Sequence, residues 1–480
     1  MPSSTVKLLR SPDRHRHDVR VAYSLLGALG VVLGVTVGYG AGSGSSWLLA
    51  VCLALAVPVV LASIGEKWAA LCLLAVAPYP LVIQHTQNIP LTWVGVAMLA
   101  FLLLSNAPRW KRARNPGPRL SRWDIVLPAA FAVSAGVSAV VAGQYQGLTS
   151  IIGPPVVIAV SVVGGCLVGA AIARNRAASL GLRAGVVSAG SIVVFLVLQA
   201  AFPSLSLPGM AGTSLVRYAG FIRIGGVIGD YELLAEYLAL WGVAALWLAT
   251  ASHGRQRLLW AAISIASVAG IMATGTRGGA VVYFIGALVV FVRQHRWRGR
   301  LRLIAIVTAM VALGIATAAY FSVTGGLLER FALIPSPSGG VTTMINRQGL
   351  WSRYLVFDGS ARDIVLGQGP GVDQYRLPAY PHNLYVYVYY TQGLLGLGLI
   401  ALVLGGAIRP AAAALMKRSE WRADAVLGLL VFLFAVDQIK IEFVRLHNYQ
   451  LAVWCLLGLA AAARAITRWE DSSRGNAERA

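Results

Sequence analysis

Apolar residues run in stretches of about 20, broken by short polar or basic segments, from Val21 to Ala463. A helix rises about 1.5 Å per residue, so each stretch matches the hydrocarbon thickness of a bilayer. Read this way, spans start near Val21, Trp47, Trp68, Pro90, Ile125, Ile152, Gly185, Val227, Leu258, Gly279, Leu303, Tyr385, Ala425 and Leu451. The pattern predicts an all-α polytopic membrane protein with about 14 transmembrane helices (range 12–14). It divides the chain into a tail at 1–20, one transmembrane domain at 21–465 and a second tail at 466–480. Most connections are short, such as Ala41 to Ser46. Two are longer: about Phe202 to Gly226, and about 322–383 between helices 11 and 12. The second contains the turn-rich patch Pro335-Ser336-Pro337-Ser338-Gly339-Gly340. Connections of that length in a compact architecture are often functional.

Composition narrows the class. The 480 residues are 57% hydrophobic and only 12% charged, which leaves no room for a large soluble domain. A net charge of +22 would suit nucleic acid if it lay on one soluble face. It lies instead in short loops between apolar runs, so nucleic-acid binding is excluded. With the amino terminus in the cytoplasm, 30 of the 40 lysines and arginines fall on the cytoplasmic side. An even helix count returns the basic carboxyl tail to that side. The expectation is a multi-pass protein of the cell inner (plasma) membrane with both termini cytoplasmic. Its first helix reads as uncleaved rather than as a signal peptide. Cys52, Cys72, Cys166 and Cys455 all fall inside apolar runs and read as packing residues, with no metal spacing and no disulfide.

That topology makes the ten external basic residues informative: Arg217, Arg223, Arg277, Arg330, Arg347, Arg353, Arg362, Arg376, Lys440 and Arg445. Nine are arginine, whose planar fork of donors matches phosphate and stays charged at any working pH. Three motifs lie at external helix ends. Arg223-Ile-Gly-Gly-Val-Ile-Gly-Asp230-Tyr-Glu232 enters the eighth helix, and Thr274-Gly-Thr-Arg277-Gly278-Gly279 enters the tenth. Leu366-Gly-Gln-Gly369-Pro-Gly371, followed by Tyr380-Pro-His382-Asn383, enters the twelfth. Even-numbered helices run inward here, so their unpaired N–H groups and positive dipole ends face outward. If they converge, they make an anion site.

Each motif also has a plainer reading. Lone arginines mark membrane interfaces, and glycines let helices approach closely. Gly367, Gly369 and Gly371 fit a tight turn, and Pro370 rules out a dinucleotide fingerprint. Asn383 suits a helix cap. Tyr385, Tyr387, Tyr389 and Tyr390 fit an interfacial aromatic belt or, less simply, a sugar-stacking surface. His382 offers an imidazole, the side chain whose reference pKa of roughly 6.5 suits proton transfer near neutrality. His85 and His447 compete with it but adjoin no Gly-rich turn. Asp230 and Glu232 could hold magnesium or serve the helix dipole. Glu236, one turn on, is a functional candidate if buried. Asp437, Lys440 and Glu442 could pair with one another in a structural role.

Together the motifs resemble the O-antigen ligase and O-antigen polymerase-like superfamily of membrane glycosyltransferases. The matching positions are Arg223, Gly226 and Ala235; Thr276, Arg277 and Gly278; Arg347 and Trp351; Gly367 and Gly369; His382 and Asn383; Gly393 and Gly396. The likeness spans roughly residues 215 to 400. The family's usual Pro-Asn pair is Tyr231-Glu232 here. The resemblance implies a GT-C-like fold and an inverting, metal-independent transfer without a cofactor. The donor would be a polyprenyl-diphosphate-linked glycan, and the acceptor a hydroxyl on a glycan, lipid or protein. It assigns His382 as general base, with Arg277 and Arg223 on the diphosphate. Arg347, Asn383, Arg217, Gly278 and Gly369 are the expected substrate-binding positions. Ligase and repeat-unit polymerase both fit. A transporter or lipid flippase is the alternative from another class, with Asp230, Glu236 and Asp437 as coupling groups.

Overall fold

The computed structural model describes residues 65–79, 82–83, 89–111, 117–141, 148–202, 215–218, 221–294, 342–355, 360–370, 381–417 and 421–477. The tail at 1–20 and the spans expected near Val21, Trp47 and Leu303 lie outside them, as does much of the 322–383 connection. Every other expected span is a helix. In chain order these are α1 (Glu66–Val76), α2 (Leu91–Lys111), α3 (Trp123–Val141), α4 (Leu148–Arg174), α5 (Ala178–Ala201), α6 (Tyr231–Ala251), α7 (Gly254–Thr274) and α8 (Arg277–Gln294). After α9 (Thr342–Leu355) and α10 (Ala361–Leu366) come α11 (Leu384–Lys417), α12 (Ala423–Asp437) and α13 (His447–Ala477). Two small antiparallel pairs join them, Val82–Ile83 (β1) with Ile89–Pro90 (β2), and Leu215–Tyr218 (β3) with Phe221–Ile224 (β4).

Among the described residues, seven helices are long and apolar enough to cross a membrane. The chain is thus an all-helical, membrane-embedded polytopic protein. By contrast, α1 and α12 have 11 and 15 residues, short of the roughly 20 that a full crossing takes. At 31 residues, α13 runs far past the expected boundary at 465. Its last turns, from Asp471 to Arg474, are solvent-exposed because the sequence there is polar.

Boundaries differ from the hydropathy reading where backbone chemistry overrides it. The span expected at Gly185 starts at Ala178. A turn at Asn175–Arg176, with Arg176 at φ 50°, ends α4, and the helix then continues through the exposed Arg183. The span expected at Val227 starts at Tyr231, because Gly226–Ile228 forms a 3₁₀ turn closed by Gly229 at φ 85°. The long connection is not structureless, since it folds α9 and α10 within it.

Packing follows the distribution of apolar side chains. Both α6 and α13 are apolar nearly all round and sit in the centre, with almost every residue from Leu233 to Ala249 buried. Peripheral helices show apolar residues such as Val133, Val140 and Phe284 on their outer surface, where lipid replaces water. Lipid supplies no hydrophobic force between helices, so close backbone approach becomes the main source of cohesion. Gly165 and Gly169 of α4 provide it against α13: a Cβ on Gly169 would sit 2.6 Å from the Gly458 carbonyl oxygen.

The longest helix is interrupted. Gly393 in α11 has φ 64° and ψ −163°, and Gly367, just after α10, has φ 76° and ψ −172°. Both angles are essentially restricted to glycine. The two residues meet backbone to backbone, Gly367 against Thr391 and Gln392, Gly393 against Val365 and Leu366. The carbonyls freed by the break are recovered across the contact. Gln368 N–H donates to Tyr390 O at 2.8 Å and Gly369 N–H to Thr391 O at 2.9 Å. Ser138 Oγ also donates to Thr391 O. Inside a membrane such a break is tolerated only when protein re-satisfies the backbone. Gly393→Ala therefore combines a forbidden conformation with a backbone clash. We expect a loss of more than about 2 kcal/mol, read as a markedly lower melting temperature of the purified protein. A variant as stable as the parent would refute this account of the break.

Candidate functional site

Three helix amino termini meet at one end of the bundle. The first belongs to α6. Asp230 is its cap, with Oδ1 accepting from Glu232 N–H at 2.7 Å and Leu233 N–H at 3.0 Å. This satisfies two of the four donors that a helix start leaves open. It also splits the acidic pair, because Asp230 turns to its own backbone while Glu232 faces another helix.

The second belongs to α8. Gly275, at φ 64°, ends α7 and lets the chain reverse within two residues. Thr276 Oγ1 then donates to Tyr231 O at 3.3 Å, tying the turn to the start of α6. Arg277 opens α8. Behind it, Gly279 lies against Ala235, where a Cβ would come within 2.7 Å of the alanine Cβ. Gly278 is covered by the Lys440 side chain, and a Cβ there would collide with it. Lys440 Nζ pairs with Asp437 Oδ2 at 3.1 Å. Two small residues thus bring α8 onto α6 and lay a second cation beside Arg277. Arg277 is half-buried, and among the described residues its guanidinium has no hydrogen bond or ion pair. A cation at a helix amino terminus opposes the dipole. The position suits an arginine that works on an anion from outside the protein.

The third belongs to α11. Asn383 Oδ1 accepts from Tyr385 N–H at 2.9 Å and Val386 N–H at 3.1 Å, which makes it the cap. His382 precedes it at φ 52°, a conformation that few non-glycine residues adopt. There its Nδ1 lies 3.7 Å from Glu232 Oε2. Trp351 of α9 donates from Nε1 to Pro381 O at 2.6 Å, so the long connection braces this corner. His382 and Thr276, the residue before Arg277, therefore approach adjacent residues of α6, Glu232 and Tyr231.

Beneath this surface lies a buried polar network. Glu236 of α6 is fully buried, with Oε1 accepting from Tyr449 OH at 2.6 Å and Oε2 from Gln438 Nε2 at 2.7 Å. Gln438 also accepts from Phe443 N–H at 2.9 Å through Oε1, and from Leu384 N–H at 2.9 Å through its carbonyl. One glutamine ties α6, α11, α12 and the segment leading to α13. Asp437 adjoins Glu236. Both oxygens of the buried Glu236 carboxylate are satisfied, and bonds of this kind in low dielectric rigidify the elements they join. Here these include α6 and α11, which carry two of the three converging termini.

Some expected positions fall elsewhere. Gly369 sits at the α11 break, about two turns from Asn383. For Arg217 and Arg223 only the backbone is described, opposite Ile222 and Val216 in the β3–β4 pair, and β4 packs on α7. Their side chains, and those of Arg347 and Arg445, lie outside the described residues. Two of the four tyrosines of α11 pack inside the protein. Tyr387 and Tyr390 are buried, Tyr387 donating to Pro370 O at 3.1 Å and Tyr390 stacking edge-on against Tyr354 at 4.9 Å. They glue α9 and α10 to α11 because those helices cover the face that hydropathy assigns to the interface. Sequence reasoning gave Lys440 no site role and weighed Glu232 only with Asp230, for magnesium or the helix dipole. The external placement of Lys440 was its only signal.

No protein-family model matches the chain, and no curated protein matches it.

Proposed function

We propose that this chain is an O-antigen ligase-like glycosyltransferase of the cell inner membrane. It moves a glycan from a polyprenyl-diphosphate carrier to an acceptor hydroxyl at the external face. The reading rests on the charge distribution, the motif resemblance and one structural observation that carries it: Arg277, Lys440 and His382 gathered where three helix amino termini meet. Positive-inside counting puts this end outside and both chain termini in the cytoplasm.

The chemistry fits that inventory. The acceptor oxygen attacks the anomeric carbon from the face opposite the diphosphate, which inverts the configuration. The bond from that carbon to the diphosphate oxygen breaks, and its electron pair leaves with the diphosphate. Arg277, with Lys440 behind it and the α8 amino terminus around it, offsets the charge that grows there. Arg223 and Arg347 are the further arginines proposed for the donor, with Arg217 beside them. His382 takes the acceptor proton, with Glu232 orienting its ring and Asn383 holding the helix end beneath it. No residue here is assigned to a metal.

The test is deletion of the gene followed by analysis of surface glycan and lipid-linked precursors. Long chains accumulating on the carrier are the expected result and mark a ligase, whereas single repeat units would mark a polymerase. Unchanged surface glycan and carrier pools would overturn both. The buried Glu236–Gln438–Tyr449 network with Asp437 favours a second reading, ion-coupled transport or lipid flipping. Substrate movement by the purified protein in liposomes, without glycan transfer, would select it.

A further inference from the structure

At the other end of the bundle α3, α4, α11 and α13 enclose a cavity of about 500 Å³. Arg464, at its mouth, lies 17 residues beyond His447, about 25 Å along α13 from the candidate site. Its inner wall is apolar, with Leu402, Val403, Leu457 and Ala461. Its mouth carries Arg409, Arg464 and Arg468, with Asp124 and Asp424.

The two carboxylates are committed within the protein. Asp124 accepts from Ser121 N–H at 3.0 Å and pairs with Arg464 at 2.6 Å and Arg468 at 3.4 Å. Asp424 Oδ1 accepts from Ala425 N–H at 2.9 Å. Donors are left over. Among the described residues, exposed Arg409 has no hydrogen bond or ion pair. Arg464, at the same mouth, has its Nη1 without an acceptor. Buried donors are normally satisfied. Two donors without acceptors at one mouth, above an apolar wall, call for a ligand with several acceptor oxygens, negative charge and an apolar continuation.

We propose that this cavity binds one anionic phospholipid, its phosphodiester on Arg409 and Arg464 and part of an acyl chain along Leu402 and Leu457. The volume suits a headgroup and the start of a chain, within the range of about 300–1,000 Å³ usual for such ligands. Basic pockets between membrane helices recognise anionic headgroups by the same chemistry. The site shares no residue with the proposed glycan-transfer centre, so either assignment stands without the other.

Native mass spectrometry of the delipidated full chain, titrated with phosphatidylglycerol or phosphatidylcholine, tests the proposal. The parent should retain one phosphatidylglycerol with about tenfold preference. Arg409→Ala should cut that preference several-fold. Gly406→Leu should reduce retention of both lipids; Gly406 lines the cavity and has open space beside it, so the variant can fold. Arg257→Ala, an exposed cation elsewhere, should change nothing. Equal binding of the two lipids, undiminished phosphatidylglycerol binding in both cavity variants, or displacement of the lipid by millimolar inorganic phosphate would overturn it.

Discussion

His382→Asn is expected to lower glycan transfer by about 10²–10⁴-fold, the usual contribution of a general base, while insertion and purification stay as in the parent. Asparagine is the informative replacement. His382 sits at φ 52°, and asparagine is among the few side chains that tolerate that region. Alanine there would strain the start of α11 and confuse a packing defect with a chemical one. If His382 removes the acceptor proton, kcat falls and the KM for the donor barely moves, because the interaction is made in the transition state. A structural histidine would instead lower thermal stability and leave turnover per folded molecule intact. Wild-type turnover in a well-folded His382→Asn protein would remove the residue from the mechanism and point to another base. Glu232→Gln should give a smaller loss, because it leaves the base and removes only the carboxylate 3.7 Å from Nδ1.

Arg277→Ala is expected to cost about 100-fold in transfer, the typical effect of deleting one preorganised donor at a developing charge. Its stability signature has the opposite sign from a structural role. Arg277 is the first residue of α8, where its charge opposes the helix dipole, and no described residue pairs with it. The alanine variant should therefore melt at the same or a higher temperature while losing activity. Arg277→Lys should recover part of the rate, since it restores the charge without the two-pronged fork. Loss of stability with full specific activity would make Arg277 an ordinary interface residue. Intact activity in both variants would detach the diphosphate from this end of the protein.

Much of this architecture was readable from local chemistry. Apolar runs located eleven helices to within a few residues at most of their starts, because burying such a stretch in lipid demands an internally bonded backbone. The caps were equally local. Asn383 after Pro381 marked its helix start, and the carboxylate of Asp230 has the reach to serve the N–H groups two and three residues on. Arg277 stood out because the charge pattern leaves few basic residues on the side expected to be external, and His382 because it adjoins a helix cap and a Gly-rich turn.

What stayed hidden depends on residues far apart in the chain. Glu236 meets Gln438 across 202 positions and Tyr449 across 213. Nothing in the neighbourhood of any of the three announces the partner. Gly393 and Gly367 look like ordinary helix-packing and turn glycines until their backbones are seen in contact, where only residues without a Cβ fit. Lys440 reads as one more interface cation, yet it lies on Gly278 because α8 and the end of α12 pack together. By itself, then, the sequence determined the membrane class, the helices and the residue types available for chemistry, all of which follow from hydrophobicity and from bonds reaching a few positions. The tertiary structure alone decided which helix ends share a corner, where α11 breaks, and which buried carboxylate has partners. Those depend on close approach between distant segments, and close approach is a property of the packed whole.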